Sequence, residues 1–176
     1  MGVEEVERIK KLFFQLKLHP EYLEHEPVVT SHDAAKTRGF GLKQGIKAIL
    51  FTDGAGHWAI ADVPADQRVS EKSVALAAGW AKNAIRMATP HEVMEITGCE
   101  VGAVPPFGHK TTVPLLVDRT IFDNEESAFN IGLRTSSARV KTFEMKKLFE
   151  KVGVIEGNFI KEKDVKNVIN SVIKDE

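Results

Sequence analysis

The chain has 176 residues, a length for one domain with some chain to spare, and its 43% hydrophobic content is enough for a core. A net charge of −1 excludes a global positive field, so nucleic-acid binding has to come from a local patch. Cys99 is the only cysteine, which excludes an intramolecular disulfide and a cysteine-rich metal site.

Val3, Val6, Ile9, Leu12, Phe13 and Leu16 recur at helical spacing, so an amphipathic helix is expected over residues 3–17, ended by His19-Pro20. The helix start carries charge throughout and has no apolar signal core, and no apolar run reaches membrane-spanning length; a soluble, cytoplasmic protein is expected. "TSHDAAKTRG" offers a helix from Thr30 or Ser31 to Gly39. In "GIKAILFTDGAGHWAIADVP" two apolar runs flank Asp53-Gly54-Ala55-Gly56, a hairpin signal. Ser70 and Gly79 bracket a helix, "AIRMA" reads as a short strand, and Thr89, Pro90 and Gly98 delimit a second short helix.

"GCEVGAVPPFGHK" follows, residues 98–110, with three glycines and two adjacent prolines between regular flanks. Proline fixes backbone without donating, and glycine permits close approach. Such a loop presents its few N–H groups in a fixed array, suited to a carbonyl or a developing oxyanion; a purely structural turn has the same composition. "VPLLVD" and "AFNIGLRT" read as strands and "TFEMKKLFEKVG" as a helix ending at Gly153. Val165, Val168, Ile169 and Val172 give the tail a helical stripe. The mixture of a hairpin with scattered helices predicts α+β, with a mixed, mostly antiparallel sheet.

The six histidines form no His-x-x-x-His or His-x-Glu pattern, and there is no phosphate-loop or dinucleotide fingerprint. Cys99 reads as a small core residue rather than a nucleophile. "RTSSARVK" mixes hydroxyls and cations as a phosphate-contacting turn does, and as a solvated strand end does. Lys47 lies among apolar neighbours in "GIKAILF" and has to reach either solvent or an anion.

Three segments in order resemble the YbaK/EbsC-type aminoacyl-tRNA deacylases, a family similar to the editing insertion domain of bacterial prolyl-tRNA synthetases. They are "GIKAILF" with its strand lysine, "TGCEVGAVPPFG" with a Gly-x-x-x-Pro loop, and "FNIGLRTSSARVKTFEMKKL" around Gly132; "EHEPVVTSHDAAKTRG" resembles the entry to the family's cleft helix. The resemblance covers roughly residues 20–153 and implies a deacylase domain over 1–153 with a helical extension over 154–176. It implies hydrolysis of mischarged tRNA bearing a small amino acid, with alanyl, cysteinyl, seryl and threonyl esters all open, and without metal, cofactor or protein nucleophile. Lys47 and Gly102 are the implied catalytic positions. Thr30, Ala103, Val104, Pro105, Pro106, Phe107, Gly108, Gly132 and Ser137 are the implied substrate-binding ones. The implied partners are the tRNA acceptor end and a synthetase or elongation factor, and no membrane. The competing reading is a module of the same fold that binds an aminoacyl or nucleotide ligand without catalysis.

Overall fold

The computed structural model describes residues 2–27 and 42–162. Helix α1 (Val3–Gln15) buries Val6, Ile9 and Phe13, the apolar stripe read from the sequence. It stops two residues earlier than expected, because Lys17 turns to φ 56° and Leu18 N–H closes on Phe13 O at 3.0 Å. The expected helix from Thr30 and the tail stripe beginning at Val165 lie outside the described residues.

Eight strands form two sheets. In the first, β1 (Glu21–Glu24) pairs antiparallel with β7 (Ser136–Lys141), which pairs antiparallel with β6 (Glu126–Asn130). In the second, β2 (Ile46–Thr52) lies between β4 (Arg86–Met87) and β3 (Trp58–Pro64), all antiparallel. Strands β5 (Leu115–Asp118) and β8 (Ile155–Gly157) then add in parallel, giving the order β4-β2-β3-β5-β8. The fold is thus α+β and mostly antiparallel, as expected, but divided; a Gly45–Ala128 bridge joins the two sheets. Strand β1 and strand β8 have no counterpart among the expected elements.

The hairpin closes where the glycines predicted. Asp53 Oδ1 accepts from Ala55 N–H at 2.8 Å, and Thr52 Oγ1 donates to His57 O at 2.7 Å. Helix α2 (Glu71–Ala78) is capped by Ser70, and α3 (Pro90–Thr97) by a reciprocal Thr89–Glu92 box; both end on a left-handed glycine. Helix α4 (Thr142–Val152) follows β7 directly. Strand β8 and the buried Phe159 belong to the larger sheet, although they fall beyond residue 153, where the extension was expected to begin. Among the described residues no helix is long and apolar enough to cross a membrane.

The five-stranded sheet separates two clusters. Ile46, Leu50, Ile60, Leu115 and Val117 face α1, α3, α4 and the smaller sheet. Phe51, Ala59, Ala61, Val63 and Leu116 face Val74 of α2 and Phe159. The strand expected over residues 128–135 ends at Asn130, because Gly132 takes φ 130° where helix α1 begins. A Cβ there would lie 2.7 Å from Gly2 O, 2.8 Å from Glu5 Cβ and 3.0 Å from Val6 N. No side chain fits, so the glycine is what lets α1 seat against the β6–β7 turn.

Two buried carboxylates occupy this larger sheet. Asp118 is fully used: its Oδ1 accepts from Thr120 N–H at 3.0 Å and its Oδ2 from Phe159 N–H at 2.7 Å. Asp62, opposite Ala48 and Val117, is wholly buried and neither oxygen has a partner. Burial drives its pKa well above the ordinary value, so the folded protein holds the neutral acid. As pH rises above about 4 the unfolded chain ionises this residue and the folded one does not, which costs stability. Asp62→Val should therefore raise stability by about 1–3 kcal/mol at pH 8, with the gain shrinking toward pH 4. Urea unfolding at both pH values checks this; a variant less stable than the parent at pH 8 would refute it.

Candidate active site

The loop marked by the sequence is held from inside by Phe107. This ring is fully buried, with centroids 5.8 Å from Phe13, 5.3 Å from Phe129 and 5.6 Å from Phe149, all edge-to-face. Ala103 and Val104 are buried in the same cluster, and Pro105 and Pro106 are buried beside them. Gly102 alone of Gly102–Phe107 is exposed, at φ 86°, a conformation that disfavours any residue with a Cβ.

Three side chains grip the loop's carbonyls. Arg134, in the β6–β7 turn, donates Nε and Nη2 to Val101 O at 3.0 and 2.7 Å and pairs with Glu100 at 3.3 Å. Asn130, at the end of β6, donates Nδ2 to Gly102 O. His109 contacts Pro105 O through Nε2 at 2.5 Å. Burial pushes the His109 pKa down to about 4, so at neutral pH the ring is uncharged and donates from Nε2.

These grips aim the opposite ends of the peptide groups. A trans peptide points N–H away from its own C=O, so fixing Val101 O fixes Gly102 N–H, and fixing Gly102 O fixes Ala103 N–H. Ala103 N–H is committed to Glu100 O at 3.0 Å, and the prolines have no N–H. The loop's donors for a ligand are thereby confined to Gly102, Val104, Phe107 and Gly108.

Behind Asn130 lies Ser137 on β7, whose hydroxyl donates to Asn130 Oδ1 at 3.0 Å and meets His25 Nε2 at 2.8 Å. Ser137 is fully buried, and Gly132 sits under helix α1. Lys47 is opposite Val63, which puts it on the sheet face of Val63 and Phe51, whereas the loop packs on the other face. The Lys47 amine is half-buried; desolvation lowers its pKa, the Asp66 carboxylate opposes that and Arg68 adds to it. Thr30 lies outside the described residues. The sequence reading missed Asn130, Arg134, His109 and His25. Its only signal for them was a polar residue interrupting "AFNIG" and one flanking the loop.

Cys99 is buried, and burial with the nearby Glu5 carboxylate pushes its thiol up to about 12. That is a core cysteine and a poor nucleophile.

The aminoacyl-tRNA editing domain family matches residues 25–148. The multifunctional Ser/Thr-tRNA deacylase ProXp-y of Escherichia coli K12 is 34% identical over 122 residues, covering 67% of this chain and 72% of that one. A proline–tRNA ligase of Pelobacter propionicus is 30% identical over 86 residues, 49% of this chain but 15% of the ligase. Among solved structures, a candidate trans-editing enzyme for prolyl-tRNA synthetase superposes with a TM-score of 0.76 at 24% identity, covering 90% of this chain and 98% of its own. The hypothetical protein APE2540 superposes at 0.78 and 24% identity, covering 88% and 99%.

The neutrality of His109 sets a stability prediction. Its folded pKa is below the ordinary histidine value of about 6.5, so the unfolded chain takes up the proton first and stability falls as pH drops from about 6.5 toward 4. His109→Gln keeps an N–H donor for Pro105 O and removes the titration. Urea midpoints measured between pH 7 and 4.5 should fall less steeply in the variant than in the parent; parallel curves would show that His109 contributes nothing to the acid limb.

Proposed function

The chain belongs to the aminoacyl-tRNA editing domain family, and we propose that it acts in trans as a hydrolase that clears mischarged tRNA of a small amino acid of the serine/threonine class. The observation that carries this reading is the gripped loop. A backbone with its carbonyls tied behind it turns N–H groups forward as a rigid oxyanion-binding surface. Water attacks the ester carbonyl, the carbonyl oxygen gains charge against Gly102 and Val104 N–H, and the ribose oxygen leaves with a proton. No side-chain nucleophile is required, in keeping with the raised Cys99 thiol. Among the described residues no group of His, Cys, Asp or Glu is arranged to hold a metal ion.

In this reading Lys47 meets a phosphate of the acceptor end. Desolvation disfavours its charge in the free protein, and a phosphate restores it. The ligase similarity supports a synthetase as a working partner that delivers or retains the tRNA.

A panel of seryl-, threonyl-, alanyl- and cysteinyl-tRNA tests the activity. Catalytic amounts of protein should release serine and threonine, and a panel with no release above spontaneous hydrolysis would overturn the reading. Lys47→Ala should weaken acceptor-end binding by about 1.5–3 kcal/mol, more than tenfold, with unchanged binding refuting the phosphate role. Gly102→Ala strains a positive φ and tilts the loop, so its turnover should fall more than its tRNA affinity; wild-type turnover in that variant would reduce the loop to a structural turn.

A further inference from the structure

Gly102 O is the last link of a hydrogen-bonded chain that starts at another backbone carbonyl. His25 Nδ1 lies 2.8 Å from Glu26 O, and His25 Nε2 lies 2.8 Å from Ser137 Oγ. Ser137 Oγ is 3.0 Å from Asn130 Oδ1, and Asn130 Nδ2 reaches Gly102 O. Both ends of this chain only accept, and that fixes every proton between them. Gly102 O requires the Asn130 amide nitrogen, so Asn130 Oδ1 faces Ser137. Two oxygens in contact need one hydrogen, and only the Ser137 hydroxyl has it. The serine oxygen is then an acceptor toward His25, so Nε2 carries a proton. Glu26 O requires one on Nδ1 as well. The chain closes without a conflict only when His25 is an imidazolium.

We propose that protonated His25 is a positioning residue for the editing reaction, holding the Gly102 carbonyl through Ser137 and Asn130 and so setting the loop's N–H groups. This rests on the deacylase reading for its consequence, not for its geometry. On loss of one ring proton, Ser137 turns its hydroxyl to Nε2. Asn130 Oδ1 then faces a bare oxygen lone pair, and the grip on Gly102 O loosens. His25 is well fixed for this role: its N–H donates to Thr135 O at 2.9 Å, and its neighbours Leu23 and Glu24 pair with Ser137 and Ser136 in the sheet. Among the described residues, the charged groups on the surrounding elements are Glu24 and Glu26 on its own strand, Arg139 on β7 and Arg134 in the β6–β7 turn. Glu24 is engaged by Ser136, Arg139 by Glu21 and Arg134 by Glu100. A positive ring among these carboxylates is electrostatically consistent.

The test has a structural arm and a kinetic arm. In the first, NMR follows the His25 ring nitrogens and the Gly102 amide through a pH titration of the intact protein. The Gly102 amide should shift with the same midpoint as the His25 ring. Ser137→Ala should abolish that coupling while leaving the protein folded by its amide spectrum, and Ser137→Thr, which keeps a hydroxyl, should retain it. A Gly102 amide that ignores His25 ionisation, or a coupling that survives Ser137→Ala, overturns the proposal. In the second arm, single-turnover deacylation is measured against pH, with spontaneous hydrolysis subtracted. Ser137→Ala should lower turnover on the order of tenfold to a hundredfold with KM little changed, as misplacement of a reacting group does. His25→Gln should lose the limb of the pH profile that tracks the histidine. Wild-type turnover and pH dependence in both variants would overturn the positioning role. Coupling seen by NMR in a protein that hydrolyses no ester would instead sink the deacylase reading, and the positioning role with it, while the hydrogen-bonded chain stands.

Discussion

The burial of one phenylalanine organises this protein. Phe107 is the meeting point of helix α1 through Phe13, strand β6 through Phe129 and helix α4 through Phe149. Its neighbours in sequence are prolines, which cannot take part as donors in a sheet or helix, so the loop has no backbone ladder to hold it. It is held instead as a side chain is held, by area removed from water and by ring packing. Removing the ring would leave the three elements without their shared contact and the loop without its floor. The folded core and the candidate active site are therefore a single construction, and a change that loosens one loosens the other.

That arrangement explains why the site's working parts are main-chain groups. A side-chain nucleophile needs only its own rotamer to be fixed. A backbone N–H is aimed by two peptide planes, so its carbonyls have to be fixed from behind. Arg134 and Asn130 supply the grips on successive carbonyls, and His109 supplies one three residues further on. All three groups are donors, as gripping a carbonyl demands. The strained φ of Gly102 belongs to the same logic: the exposed residue bends so that its flanks remain buried.

What could be read in the chain beforehand was what is local. The hairpin at Asp53–Gly56, the Ser70 and Thr89 caps and the stops at Gly79 and Gly98 depend on residues a few positions apart, and all are present. The loop of residues 98–110 stood out by composition alone. Strand β1 escaped notice because Glu21–Glu24 is mostly charged and exists only by pairing with β7, more than a hundred residues away. Strand β8 is three residues that gain identity only beside β5. Gly132 was legible as a special position but not as to why: the helix that forbids its side chain starts at the other end of the chain. The grips of Asn130 and Arg134 join positions about thirty residues apart through side chains, and no periodicity encodes that.

The two histidines on this network pull in opposite electrostatic directions. His109 sits in an apolar setting that expels its proton, so it grips Pro105 O as a neutral donor. His25 sits at a strand end between a carbonyl and a hydroxyl, beside carboxylates, and the protons of its chain balance only when it carries charge. Acid therefore strains the fold through one histidine, and base slackens the loop through the other. A loop whose chemistry depends on backbone direction has no reserve of side-chain pKa values with which to adapt to pH. Its operating range is set by the residues that hold it rather than by any residue that reacts, and the two edges of that range lie on opposite flanks of the same short stretch, Gly102 to His109.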